Sequence, residues 1–182
     1  MARRAKCISN LKQLGLGWAM YLQDNYGTFY DVACWWIWGG KVGTIDHGGP
    51  IPFNDPTFIR PLNQYVNNNL AVFRCPSDSG RPYPGDWDEP CTYDTMGNSY
   101  SYNCVGDQVT GGLLGKNIDQ VRDYSKTVLI GDGVIIEYSP GTQNIRWHNK
   151  TAPWANVLFV DGHVDWILIT PGPSGDNWTF IP

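Results

Sequence analysis

Apolar side chains at Cys7, Ile8, Leu11, Leu14, Trp18, Tyr21 and Leu22 recur at three- and four-residue steps through residues 2–25, a stretch with no Pro and only Gly15 and Gly17. That spacing puts them on one face of a helix and predicts a sheet beneath it. The helix should end at Tyr26-Gly27, with the glycine as its left-handed cap. At the other end of the chain, residues 156–160 and 163–169 read as two strands around Asp161-Gly162, a dipeptide favoured by a two-residue type I′ turn. In that register Val160 pairs with His163, Phe159 with Val164, Leu158 with Asp165 and Val157 with Trp166. Val157, Phe159, Val164 and Trp166 then form an apolar face that is expected to carry the helix, with Trp166 in the core.

Between these ends the pattern is weaker. Residues 99–105 alternate tyrosines and predict a strand, and residues 127–138 predict another, broken at Gly131-Asp132-Gly133. Residues 72–76 read as an extended piece ended by Pro, residues 60–66 as a short helix and residues 118–121 as one helical turn. Residues 28–70 and 77–98, rich in Gly, Pro and polar residues, are expected to be large loop insertions. The tail, residues 171–182, offers Trp178 and Phe180 as docking residues.

Composition sharpens this picture. The chain has 182 residues, enough to bury a core without disulfides, with 21 Gly, 13 Pro, nine Trp and only two Glu, so it is loop-rich and poor in further helix. Its formal charge is -4. Arg3, Arg4, Lys6 and Lys12 all lie in the helix, which excludes the basic face of a nucleic-acid binder elsewhere. Cations at the start and Asp24 at the end oppose the helix dipole, so the helix is expected to be the second half of a longer one.

Candidate chemistry is sparse. The five cysteines form no C-x-x-C pair. A disulfide among Cys34, Cys75, Cys91 and Cys104, favoured between the last three, is the expected use, with Cys7 as a buried free thiol; reduced core cysteines are the alternative. Asp86, Asp88 and Glu89 offer hard oxygen ligands for calcium, although their spacing is not that of an EF-hand loop. A metal site built from His148, Asp161, His163 and Asp132 is disfavoured, because hairpin faces commonly carry such pairs. Residues 97–101 lack the second Gly of a nucleophile elbow, and residues 111–117 lack the spacing and hydroxyl of a P-loop. No enzyme is expected.

Several of these stretches resemble one family. Residues 2–15, continuing through Trp18 to Tyr21, resemble the segment that follows the membrane helix in type IV pilin-like proteins and type II secretion pseudopilins. Phe73-Arg74-Cys75-Pro76-Ser77-Asp78 and Ser99-Tyr100-Ser101-Tyr102-Asn103 resemble two further blocks. His148 followed by Asp161-Gly162-His163 resembles the C-terminal processing-associated motif, with twelve intervening residues where the family has nine and an insertion at residues 150–154 to account for the difference.

The resemblance implies an α+β, pilin-like fold in which residues 1–27 form the C-terminal half of the pilin-type helix and residues 28–182 the head. It implies a filament subunit that assembles through the helix (Arg3, Arg4, Leu11, Leu14, Trp18), with other pilin or pseudopilin subunits and assembly proteins as partners. The inner membrane would be reached through an apolar segment preceding this chain, with the head periplasmic or extracellular. Calcium is the one cofactor the family suggests. The alternative reading is a carbohydrate- or polymer-binding module that uses the loop aromatics Trp35, Trp36, Trp38, Tyr83, Trp87, Tyr93, Tyr100 and Tyr102.

Overall fold

Helix α1, Ala2–Asp24, turns Cys7, Leu11, Leu14, Trp18, Tyr21 and Leu22 inward, as the spacing predicts. The computed structural model describes residues 2–32, 34–45, 53–80, 91–104, 112–133, 135 and 146–182. Trp18 is the centre of the packing under α1: its ring lies 5.0 Å from Tyr102, 5.7 Å from Trp38, 5.5 Å from Tyr21 and 6.3 Å from Phe29. The helix closes through a Gly27 N–H to Leu22 O bond, with Tyr26 and Gly27 both at positive φ.

The sheet is antiparallel and runs in the order β1 (Tyr100–Tyr102), β2 (Val128–Asp132), β3 (Trp154–Phe159), β4 (Val164–Leu168). A helix packed on an antiparallel sheet makes the fold α+β. Gly131 and Asp132 belong to β2 and do not break it. A side chain at Gly131 would meet Ile135, Val157 and the Asn156 carbonyl, so the glycine lets β3 approach, a role that overrides its low strand preference. Of the strand expected to continue to residue 138, Val134 and residues 136–138 lie outside the described residues.

The β3–β4 register differs from the expected one by a single residue. Asn156 pairs with Trp166, Val157 with Asp165 and Leu158 with Val164. Phe159 N–H donates to His163 O and Gly162 N–H donates to Phe159 O, so the loop holds three residues, Val160-Asp161-Gly162. Gly162 has φ 87°, while Asp161 is absent from the positive-φ residues. A type I′ turn would need positive φ at both; the longer loop places only the glycine there, and the Asp161 carboxylate accepts the His163 N–H.

One residue of slip exchanges the faces of a strand. Asn156 and Leu158 therefore join Val164 and Trp166 beneath α1, while Val157 and Phe159 turn to the opposite side. There they meet Ile167, Ile169, Val128 and Met96, together with Trp36, Ile37 and Phe53 from the first insertion and Trp178 and Phe180 from the tail. Both faces of the sheet are covered, and β2 is buried along its whole length. Trp166 is only half-buried, stacked on Trp154 at 5.6 Å and beneath the Arg4 guanidinium at 4.2 Å.

Smaller elements fill the insertions. Residues 60–66 give a 3₁₀ turn, Pro61–Val66. Of the expected extended piece at residues 72–76, Arg74 is extended, but Val72 and Phe73 end a second 3₁₀ turn, Leu70–Phe73, entered from Asn67 and Asn68 in the left-handed region, which drives both into the core. Helix α2, Thr92–Met96, lies in what reads as loop; Asp78 caps it by accepting the Thr92 and Tyr93 N–H groups. Among the described residues no helix is long and apolar enough to cross a membrane.

Candidate functional site

Four side chains from four separate segments meet beneath the start of α1. Cys7 comes from α1 itself, Cys75 follows the Leu70–Phe73 turn, Asp132 ends β2 and His148 lies in the segment that leads into β3. One sulfur, nitrogen or oxygen atom from each lies within 4.8 Å of the others. His148 Nε2 is 3.3 Å from Cys75 Sγ and 3.3 Å from Asp132 Oδ2, and the His148 and Asp132 side chains are 4% and 1% exposed.

The surroundings hold these groups in place. Asp132 Oδ2 accepts from the Asn156 backbone N–H at 2.7 Å and from Asn156 Nδ2 at 2.8 Å. Arg4 Nε donates to Asn156 Oδ1 at 3.3 Å while its guanidinium covers Trp166, and Trp166 meets His148 edge to face at 5.8 Å. Asp132 Oδ1 is buried without a hydrogen-bond partner. Neighbouring Trp147 is fixed by donating Nε1–H to Gly80 O.

The cluster shifts its own titrations. Cys7 is lowered to about 6, because Cys75 hydrogen-bonds its thiolate and outweighs burial, with His148 adding to the effect. Burial first, then Cys7, pushes Cys75 well above the ordinary thiol range. Burial pulls His148 down, but hydrogen bonds to Asp132 and Cys7 more than reverse it and raise the imidazole to about 9. Chemically, the site offers two sulfur donors, an imidazole nitrogen and a carboxylate, closed off from solvent.

The other expected site residues lie elsewhere. Asp161 and His163 pair with each other on the hairpin loop, Nδ1 to Oδ1 at 2.6 Å, and His163 stacks on Phe159 at 4.3 Å. The four-residue set His148, Asp161, His163 and Asp132 is thus divided into two pairs. The extra residues of the C-terminal motif form a turn in which Asn149 Oδ1 accepts from Thr151 and Ala152 N–H, and Trp154 already belongs to β3.

All five cysteines are buried and carry thiols rather than disulfides. The expected bridge among Cys75, Cys91 and Cys104 is not formed: Cys75 faces Cys7 and His148, and Cys91 donates to Asp94 Oδ2. Burial, followed by that contact, raises Cys91 to about 11. Cys34 is raised by burial. The calcium candidates Asp86, Asp88 and Glu89 lie outside the described residues, as do Tyr83 and Trp87. Trp36, Trp38, Tyr93, Tyr100 and Tyr102 are core residues. Arg3 and Arg4 are exposed, with Arg4 reaching Asn156 and Trp166 on the sheet, whereas Leu11, Leu14 and Trp18 are buried.

Sequence reasoning missed the cluster because it looked for cysteines close in sequence. The available signal was that Cys7, Cys75 and His148 each stand inside a different block of the resemblance. Comparison with family models, with curated proteins and with solved structures finds no match.

Proposed function

We propose that this chain is a structural subunit of a type II secretion or type IV pilus-like filament, pilin-like in fold and assembling through α1. The observation that carries the reading is that the blocks resembling the family meet in space. Cys7 of the first, Cys75 of the second and His148 of the last come together, and the Ser99 hydroxyl of the third donates to Asp78 of the second at 2.6 Å. The Ser99 N–H also donates to Phe73 O. Helix α1 leaves Leu16 70% and Met20 52% exposed, apolar side chains available to a neighbouring subunit. In this reading the head is periplasmic or extracellular, the subunit is anchored in the inner membrane, and its work is assembly.

The test is photo-crosslinking from positions 16 and 20 in the source cells. A ladder of products containing this chain and pilin-like neighbours, recovered from membranes or sheared filaments, is expected. Monomer alone, recovered outside those fractions, overturns the reading.

One surface favours a second reading, polymer binding. A groove of about 680 Å³ along β4 is lined by Trp154, Trp166 and Trp178 with Asp165, Asp176 and Asn177. Soluble oligosaccharides then quench tryptophan fluorescence saturably, and Trp154→Ala weakens the response. Fluorescence indifferent to oligosaccharides removes this reading.

A further inference from the structure

We infer that Cys7, Cys75, Asp132 and His148 bind one zinc ion, which fastens α1 to the sheet. The inference does not depend on the filament reading. Two sulfurs, one imidazole nitrogen and one carboxylate oxygen are a donor set for a thiophilic divalent ion, and zinc accepts all three types in a tetrahedron. Hard cations such as calcium and magnesium prefer oxygen ligands throughout.

The geometry supports the assignment. Zinc bond lengths of about 2.0–2.3 Å give tetrahedron edges of roughly 3.3–3.8 Å between ligand atoms. The His148 Nε2 to Cys75 Sγ edge is 3.3 Å, the Asp132 carboxylate approaches Nε2 through Oδ2 at the same distance, and all four donors lie within 4.8 Å of one another. The Nε2 to Oδ2 distance is longer than the roughly 2.7–2.9 Å of a charge-assisted N–H to carboxylate bond. Nε2 carries at most one proton, yet it faces sulfur and oxygen at equal distances. A cation between them satisfies both.

A second, independent observation points to a ligand: Asp132 is fully buried, and its Oδ1 has no partner. A buried carboxylate oxygen left unpaired is costly, and metal coordination is one of the few ways to offset that cost. Asn156 holds the other carboxylate oxygen with two N–H groups, and Arg4 in turn donates to Asn156. This is the outer layer of hydrogen bonds by which metal ligands are oriented.

Two other uses of these residues explain less. A Cys7–Cys75 disulfide would engage the sulfurs but leave Asp132 and His148 buried with the same unpartnered oxygen. A nucleophilic thiolate needs substrate access, and Cys7 and Cys75 are buried. With four protein ligands and no open position, the ion would be structural.

The test starts with the reduced chain, loaded with zinc and then with cobalt. About one metal per chain by native mass and elemental analysis is expected, and the cobalt form should show tetrahedral d–d bands with sulfur-to-cobalt charge transfer. Chelation should lower the unfolding temperature and open Cys7 and Cys75 to alkylation. Asp132→Asn should weaken zinc by about tenfold or more, and Cys7→Ser should abolish the charge-transfer signature of a two-thiolate site. The cobalt spectrum of the unaltered chain decides the matter even where a core substitution prevents folding. Failure of the reduced chain to take up metal overturns the inference, as does cobalt bound without sulfur charge transfer. Metal uptake unchanged by Cys7→Ser also overturns it.

Discussion

Trp18 and Trp166 show how far a side chain's role depends on what surrounds it. Both follow an apolar pattern, and the pattern treats them alike. Trp18 is enclosed by four aromatic rings at 5.0 to 6.3 Å. Trp166 keeps one side in solvent, with Trp154 against one face and Arg4 near it. Trp18→Ala is expected to cost about 3–5 kcal/mol, the range for truncating a buried aromatic. Trp166→Ala should cost less, about 1.5–3 kcal/mol, from its ring contacts with Trp154 and His148 and one partly exposed cation–π contact with Arg4. Chemical denaturation of both variants checks the order; equal losses would contradict the packing described for β4. Asp78 carries a similar lesson, since its raised carboxyl reflects burial, which outweighs the pull of Ser99 and the N–H groups of Gly80, Thr92 and Tyr93.

At the scale of elements, what the chain discloses depends on how local the cause is. Helix α1 was legible because its stripe repeats over six turns and nothing interrupts it. The hairpin was legible as a hairpin, but its register rests on the backbone angle of a single residue, Asp161, which the dipeptide alone does not fix. Turn chemistry moved Leu158 onto the helix side, and Gly15 is its counterpart: a Cβ there would stand 3.1 Å from Leu158 Cδ1. This juxtaposition gives a direct test. Leu158→Ala should cost about 2–5 kcal/mol as a core truncation. Gly15→Ala should be tolerated better in that background than alone, with a coupling of about 0.5–3 kcal/mol in a double-mutant cycle. In the two-residue-turn register Leu158 would face away from α1 and the two substitutions would simply add. The Leu70–Phe73 turn and α2 were hidden for a different reason: each is set by distant partners, the helix core for one and the Asp78 carboxylate for the other.

Over the whole molecule, the sheet is an inner layer with α1 on one face and the tail on the other, and the first insertion serves both, with Phe29, Trp38 and Leu62 beneath α1 and Trp36, Ile37 and Phe53 opposite. The tail was expected to dock through Trp178 and Phe180, and both are buried on Val157 and Phe159's side, while Thr179 exchanges backbone hydrogen bonds with Lys126 and Val128. A chain ending at Thr170 therefore loses two core aromatics, a deficit of about 5 kcal/mol or more, comparable with the total stability of an ordinary domain. Loss of a cooperative unfolding transition, followed by near-ultraviolet circular dichroism, is the expected result; a native-like transition would show that the tail only decorates the surface. The candidate site belongs to this scale too. Its donors are spread from residue 7 to residue 148, and only the assembled topology makes them neighbours.

That spread governs the order in which the protein can complete itself. Helix α1 emerges before the elements it packs on, and that surface includes β3 and β4, while His148 closes the cluster around Cys7. Contacts between the two ends of a chain carry the largest loop-closure cost and form late. The helix can thus dock first on Phe29, Trp38 and the Pro61–Val66 and Leu70–Phe73 turns, but its apolar face is completed only when β3, β4 and His148 are available. Any factor that must grasp this helix has that interval in which to do so.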